Sequence, residues 1–315
     1  MPHVLVAGVV HPAGLDLLAR APGVTVHHVA ENGPRAFLPY LAEADALIVR
    51  TQPVDHEVLA RAPRLRLVSR HGVGTDSVDT AALRARGIAL AVVGDVNSRS
   101  VAEHAMMLIL ACAKRLRMAD HAVRQPDRWN WRNGMEPVEL AGRRLLILGY
   151  GRIGRHLARM ADAFGMKVRA FSPSVEAAGW PDGPATPVGL DEGLAWADVV
   201  AVSAPKRAQP LLGAAELARL KPAAILVNTA RGGVVDERAL AAALREGRLA
   251  AAGLDVFEDE PPAPDHPLLA LDQVILTPHI GGVTAEAAER MSVRSAQNVL
   301  DFLDGRLDPA MVVPL

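Results

Sequence analysis

The sequence predicts an α/β protein built as two doubly wound parallel-sheet units. Three observations carry that prediction. Apolar β-type runs alternate with helical patterns from one end of the chain to the other. The alternation is interrupted once, by a long helical pattern near residue 100, and then restarts. The restart carries Gly149, Gly151 and Gly154 between a strand pattern and a helix pattern. A chain of 315 residues is also long for one compact core, so two domains are expected.

In the first unit "HVLVAGVV" reads as a strand, "PAGLDLLARA" as a helix, and "VTVHHV", "ADALIVR" and "RLRLVSR" as further strands. The pattern changes at "GDVNSRSVAEHAMMLILACAKRLRMADHAV". Ser100 and Glu103 have capping-box spacing, and Val101, Ala105, Leu108, Ile109, Cys112 and Leu116 recur at helical spacing. One long helix is expected there, a spine between two domains. After a loop at residues 124–140, strands are expected at "RRLLIL", "KVRAF", "ADVVAVSAP", "AAILVNTA", "LAAAGLDVF" and "QVILTPH". Residues 172–189, rich in proline and glycine, read as a loop with little regular structure. The last helix runs through "TAEAAERMSVRSAQNVLDFLDG" and stops at Gly305.

Composition excludes several function classes. Lys+Arg 34 against Asp+Glu 35 leaves a formal net charge of -1, so no basic surface for nucleic acid is expected, and Arg143-Arg144 reads as solvated. The single cysteine, Cys112, sits in an apolar run and fits a core position in a reducing compartment. The N-terminus lacks the pattern of a signal peptide and no run suggests a membrane span, so a cytoplasmic location is expected. His27-His28 falls on opposite faces of a strand, and no metal site is expected.

The glycines give G-x-G-x-x-G in a strand-turn-helix context. The first permits the tight turn, the second lets backbone approach a pyrophosphate, and the third packs helix on strand. Tyr150, Arg152 and Ile153 supply turn amides at the pyrophosphate position. In an open parallel sheet ligands bind beyond the carboxyl ends of the strands. Three successive strand ends deliver Arg231, then Asp255 with Glu258, Asp259 and Glu260, then His279. Hydride transfer to a 2-keto acid builds negative charge on the carbonyl oxygen. An arginine fork can hold the substrate carboxylate and polarise the carbonyl, and a histidine oriented by a carboxylate can deliver the proton.

The segments "ELAGRRLLILGYGRIGRHLARMADAFGMKV", "ILVNTARGGVVDERALAAALREGRLAAAGLDVFEDEPP" and "VILTPHIGG" closely resemble the D-isomer-specific 2-hydroxyacid dehydrogenases. The resemblance extends over nearly the whole chain, including "HGVGTD" and "VNSRSVAEHAMMLIL". It implies a Rossmann cofactor domain, residues 99–284, inserted into a flavodoxin-like substrate domain, residues 1–98 and 285–315. It implies Arg231 as the substrate arginine, His279 as the acid/base and Glu260 as its paired carboxylate. Asp255 and Ala230 are then placed beside the nicotinamide. Ser203, Ala204, Pro205, His279 and Gly281 join the cofactor set, and Val73 and Gly74 amides hold the substrate carboxylate. A homodimer is implied, with the helix after residue 99 at its interface; Trp129 and Trp131 serve that contact, the site, or simple packing.

The chain departs from the family pattern at the cofactor's adenosine end. Strand "KVRAF" ends on Ser172, where the default is an acidic residue for the ribose. Ser203 stands where the family usually has histidine, and the loop after Pro205 looks about two residues short. Ser172, Ser174, Lys206 and Arg207 would admit the 2′-phosphate of NADP, so the cofactor is NADP or NAD with a lean to NADP. Arg50 resembles a phosphoglycerate dehydrogenase arginine that would contact an anionic substrate, and reads equally as a strand-end surface charge. The chain ends shortly after the last helix, so an appended regulatory domain is not expected. His71 has no assigned role. Glyoxylate, hydroxypyruvate, phosphohydroxypyruvate and sulfopyruvate all remain as substrates. Two other functions stay open: a phosphite- or formate-type dehydrogenase, disfavoured by Thr277-Pro278 before the histidine, and a non-catalytic, NAD-sensing corepressor-like protein.

Overall fold

The computed structural model describes residues 1–315, the side chain of Pro126 excepted. It divides into two compact units, residues 1–97 with 283–315, and residues 98–282. The first contains β1 (His3–Ala7), α1 (Pro12–Ala19), β2 (Thr25–Val29), β3 (Ala46–Val49), α2 (His56–Ala60), β4 (Leu67–Arg70), α3 (Thr80–Ala85) and β5 (Ala89–Ala91). The strands form a parallel sheet in the order β2-β1-β3-β4-β5, the flavodoxin-like arrangement. All four residues of β3 are buried, because a parallel sheet is covered on both faces and its inner strands read as unbroken apolar runs. Asp55 and Asp79 start α2 and α3 by accepting the amides of Val58 and Ala82 at 3.1 and 2.9 Å.

The second unit runs α4 (Ser98–Ala113), α5 (Leu116–Arg124), β6 (Arg144–Leu148), α6 (Arg152–Ala163), β7 (Lys167–Phe171), α7 (Pro173–Ala178), β8 (Thr186–Pro187), α8 (Leu190–Trp196), β9 (Val199–Val202), α9 (Ala214–Leu217), β10 (Ile225–Asn228), α10 (Glu237–Arg245), β11 (Ala251–Leu254) and β12 (Val274–Leu276). Its parallel sheet has the order β12-β11-β10-β9-β6-β7-β8. Strand order reverses between β6 and β9, the crevice where such sheets bind ligands. The core is aliphatic, and each fully buried Leu or Val contributes about 1.5–3 kcal/mol. Helix α4 lies on β10, β11 and β12, and Gly253 allows the approach of Leu108, whose Cβ would be 3.0 Å from a Cβ at that glycine. Cys112 is buried in this packing, and burial pushes its thiol up to about 12, so it is inert at neutral pH.

The chain then returns to the first unit through α11 (Ala285–Leu303), which packs on α1. Thr284 caps its start, and Gly305, at φ +70°, follows its end as the stop signal requires. The hydroxyl of Ser292 donates to the carbonyl of His11 at 2.7 Å, and a side chain at Gly14 would overlap Ser292.

Four local expectations are corrected. The long helix is two helices, broken where Arg115 adopts a left-handed φ of 52° between α4 and α5. It also starts at Ser98, so Ser100 is inside it, and Glu103 pairs with Arg99 at 2.9 Å across one turn. Residues 172–189 hold α7 and the short β8, since Pro173 sits at the first helical position, where its fixed φ and missing N–H cost nothing. The loop after α5 contains a 3₁₀ helix, Pro126–Gly134.

Candidate active site

The register of the second sheet brings its strand ends level. Leu148 pairs with Phe171 and Val202, Val202 with Asn228, Asn228 with Leu254, and Leu254 with Leu276. The next residues, Gly149, Ser172, Ser203, Thr229, Asp255 and Thr277, therefore line one edge.

At the β6–α6 turn each glycine does a different job. Gly149 has φ +98°, and a Cβ there would lie 2.7 Å from the Ser203 backbone. A Cβ on Gly154 would overlap the carbonyl of Gly149, so only glycine lets α6 start this close to the strand. Gly151 is different: a Cβ there meets nothing within 4 Å. It is also the N-cap of α6 and brings no side chain to the first-turn N–H groups. Steric freedom, unclaimed amides and the positive end of a helix together fit a pyrophosphate. The Oγ of Ser203 is buried without a hydrogen-bond partner among the described residues, a second polar group suited to a ligand at this edge.

The other cofactor candidates divide. Tyr150 is 1% exposed and its ring stacks on Trp180 at 4.8 Å, so only its backbone remains for a ligand. Arg152 is exposed and Ile153 half-buried at the start of α6. Ser172 is buried as the N-cap of α7, where its hydroxyl makes no capping bond. Ser174, Pro205, Lys206 and Arg207 are exposed, and Ala204 and Ala230 are buried. The stem of Lys206 lies over Gly233, on the turn after β10.

Arg231 follows β10 on a loop tied by Asn228. The Asn228 Oδ1 accepts the Ala230 amide at 3.0 Å and its Nδ2 donates to the Arg231 carbonyl at 3.0 Å. Glu260 follows β11; its Oε1 accepts the Phe257 amide at 3.1 Å. The neighbouring Glu258 amide donates to buried Glu237 at 2.6 Å, and Glu237 faces His266 Nε2 at 3.0 Å. Gly232 fits against Phe257, and a Cβ there would overlap the Phe257 carbonyl. The loops bearing Arg231 and Glu260 are thus packed backbone to backbone.

His279 Nδ1 donates to Glu260 Oε2 at 2.7 Å, which leaves Nε2 for a ligand. The bond to Glu260 raises the imidazole pKa above its usual value against the opposing effects of burial and of Arg231. Burial pushes the Glu260 carboxyl up, but the bond and charge of His279 together with the Phe257 amide more than offset it and hold the group below the usual range.

His279 adopts φ 53°, and its amide donates to the Asp255 carbonyl at 2.8 Å. The Asp255 carboxylate, 2% exposed, accepts from the amides of Ile280 and Gly281 at 2.9 and 2.8 Å and from Thr277 Oγ1 at 2.6 Å. His104 Nε2, from α4, lies 2.9 Å from that hydroxyl and 3.4 Å from Asp255 Oδ1. Burial pushes the Asp255 carboxyl up, and the bonds from His104, Thr277 and the two amides more than offset it. Sequence reasoning missed His104 and Thr277. They stand 173 residues apart, and His104 reads locally as one more residue of an amphipathic helix.

This arrangement has a family. Residues 106–281 match the model of the D-isomer specific 2-hydroxyacid dehydrogenase, NAD binding domain. The chain belongs to the D-isomer-specific 2-hydroxyacid dehydrogenase family. A glyoxylate reductase of Aeropyrum pernix is 39% identical over 320 residues, covering 99% of this chain and 96% of that protein. A D-3-phosphoglycerate dehydrogenase of Mycobacterium bovis is 40% identical over 99% of this chain, but the chain spans only 59% of that protein's length. The crystal structure of an NADPH-dependent glyoxylate/hydroxypyruvate reductase from Sinorhizobium meliloti superposes with a TM-score of 0.84 at 29% identity, over 96% of this chain and 95% of that one. The second unit is the family's NAD-binding Rossmann domain.

The residues picked in the first unit also lie at strand ends. Arg50 follows β3 and its Nη1 donates to the Val9 carbonyl at 3.3 Å. Val73 is exposed and Gly74 half-buried, in the loop after β4. His71 is 4% exposed, with both ring nitrogens unpartnered among the described residues, and burial lowers its pKa to about 4. Among the described residues no helix is long and apolar enough to cross a membrane, and no group of three or more His, Cys, Asp or Glu could hold a metal ion.

Proposed function

We propose that this protein reduces a small 2-keto acid to its D-2-hydroxy acid, with His279 as the proton donor. The observation that carries the reading is the His279–Glu260 pair, whose 2.7 Å bond favours the protonated form of the imidazole, with Arg231 among the charges that face it. A bound nicotinamide dinucleotide supplies the hydride to the carbonyl carbon. His279 gives its Nε2 proton to the carbonyl oxygen and keeps its positive charge paired with Glu260 until then. Arg231 holds the substrate carboxylate and draws charge toward the carbonyl oxygen as it develops. In the first unit, Val73 and Gly74 amides are assigned to a substrate carboxylate in this proposal, and Arg50 to an anionic group on a longer substrate.

The residues that would hold the dinucleotide are Gly149, Tyr150, Gly151, Arg152, Ile153 and Gly154 by backbone, with Ser172, Ser203, Ala204, Pro205, Ala230, Asp255 and Gly281 along the same edge. The test is turnover of glyoxylate, hydroxypyruvate, phosphohydroxypyruvate and sulfopyruvate followed by nicotinamide absorbance. No turnover with either NADH or NADPH sinks the reading.

The cofactor preference rests with NADP in this proposal. Strand β7 is followed by Ser172, which has no charge to repel a 2′-phosphate, and two exposed cations stand in the loop after β9. Reversing both, Lys206→Glu with Arg207→Glu, raises the KM for NADPH about tenfold or more and leaves that for NADH nearly unchanged, the expected size for losing two charge-assisted contacts. An unchanged NADPH/NADH ratio refutes it.

The family's homodimer is proposed for this chain as well. Leu116, Val123, Trp129 and Met135 are 54%, 67%, 54% and 85% exposed on α5 and the segment after it, apolar side chains of the kind interfaces cover. Light scattering in solution is expected to give twice the chain mass; a single-chain mass refutes it.

A further inference from the structure

We propose that His104 is a positioning residue, which acts through the Thr277 hydroxyl to hold Asp255 and, with it, the left-handed loop that presents His279. The inference rests on the reading of His279 as proton donor.

The direction of the hydrogen bonds follows from counting protons. Thr277 Oγ1 has one proton and lies 2.6 Å from Asp255 Oδ1. An ionised carboxylate only accepts, so that proton goes to Asp255. His104 Nε2, 2.9 Å from the same oxygen, must then carry hydrogen and donate to it. The chain reads His104 Nε2–H to Thr277 Oγ1–H to Asp255. With Asp255 ionised, as its lowered pKa favours, no other arrangement of the three satisfies both contacts.

The end of that chain grips the catalytic loop. Asp255 Oδ1 takes the Ile280 amide and Oδ2 the Gly281 amide, while the Asp255 carbonyl takes the His279 amide. Three consecutive amides, 279 to 281, are thus bound by one residue. They surround a histidine whose φ of 53° is unfavourable for any residue with a Cβ. Such a conformation persists only where its surroundings impose it. Asp255 imposes it, and its carboxylate is aimed by Thr277 and His104. Gly281 completes the fit, since a Cβ there would sit 2.9 Å from Asp255 Oδ2 and 3.4 Å from the His104 ring.

The arrangement also gives α4 a function beyond packing. Its apolar face lies on the sheet, and His104 is the polar residue it sends to the strand ends. The charged groups facing the His279 ring are Glu260, Asp255 and Arg231. Loosening the loop weakens the contact with Glu260 first, because that bond alone depends on where the ring sits.

The experiment compares His104→Phe, which keeps a ring and removes the donor, with His104→Gln, which restores an Nε2 donor. Thr277→Val and Thr277→Ser repeat the comparison without touching α4. In His104→Phe and Thr277→Val, kcat for keto-acid reduction is expected to fall about tenfold, with substrate KM changed less than threefold. The alkaline limb of the kcat profile moves to lower pH, and the dinucleotide dissociation constant, read by nicotinamide fluorescence, stays within threefold. His104→Gln and Thr277→Ser recover most of kcat. Wild-type kcat and pH limb in both disruptive variants overturn the proposal. So does loss of dinucleotide binding in parallel with kcat, or failure of both conservative variants to recover. The reading of His279 is judged apart, by turnover in the wild type and its loss in His279→Ala. If the wild type turns nothing over, the titration of the His279 ring followed by NMR decides: an unmoved titration in His104→Phe and Thr277→Val overturns the positioning role.

Discussion

Replacing His279 by alanine is expected to lower kcat for keto-acid reduction by about 10²–10⁴-fold, the range of a general acid's contribution. Dinucleotide binding should survive, because the fingerprint turn lies at another strand end and packs independently of the imidazole. The pH dependence carries a sign. Glu260 raises the His279 pKa, so the proton-donating form persists above the ordinary histidine value of 6.5. Reduction is therefore flat at low pH and falls as pH rises through the elevated pKa. Glu260→Gln removes the largest cause of the shift, and the falling limb moves toward lower pH together with a lower kcat. A profile of kcat against pH for the wild type and Glu260→Gln checks this. A limb that stays in place refutes the role given to Glu260.

Gly232→Ala has the second large effect, although Gly232 bears no chemistry. Its Cβ would land on the carbonyl of Phe257 and against the Glu258 amide, both backbone, so one loop must move. Overpacking that nothing flexible can relieve costs about 3 kcal/mol or more. For a unit of this size that lowers the thermal midpoint by roughly 6–12 °C. The displaced loops carry Arg231 on one side and Glu260 on the other, and a misplacement of about 1 Å at a reacting group costs about 10²-fold in rate. Thermal unfolding and kcat/KM on the same preparation measure both. Gly151→Ala is the control for stability: its Cβ meets nothing within 4 Å, and the midpoint holds or rises slightly. A wild-type midpoint in Gly232→Ala would show that the two loops are not locked.

Most of the architecture was legible because a parallel sheet writes itself into sequence. Strands covered on both faces become unbroken apolar runs, as in Val199–Val202 and Ile225–Asn228, and glycine is forced where backbone meets backbone. The break between α4 and α5 was not legible. Arg115 takes its left-handed turn without a glycine or proline to announce it, and the helical period reads straight through. The helix after Ser172 was hidden for the opposite reason, since prolines and glycines that usually mark loops include one proline placed to begin a helix.

Sequence alone determined most of the order of α/β elements, the fingerprint glycines and the family, and it singled out Arg231, Glu260 and His279 as candidates. Each of these is encoded locally, by periodicity, by steric demand or by a strand end. Only the tertiary structure decided which nitrogen of His279 meets Glu260, that Tyr150 turns its ring into a stack with Trp180, and that His104 reaches Thr277. Those contacts depend on strand register and on side chains packed from elements far apart in the chain. No local pattern encodes a hydrogen bond that spans 173 residues.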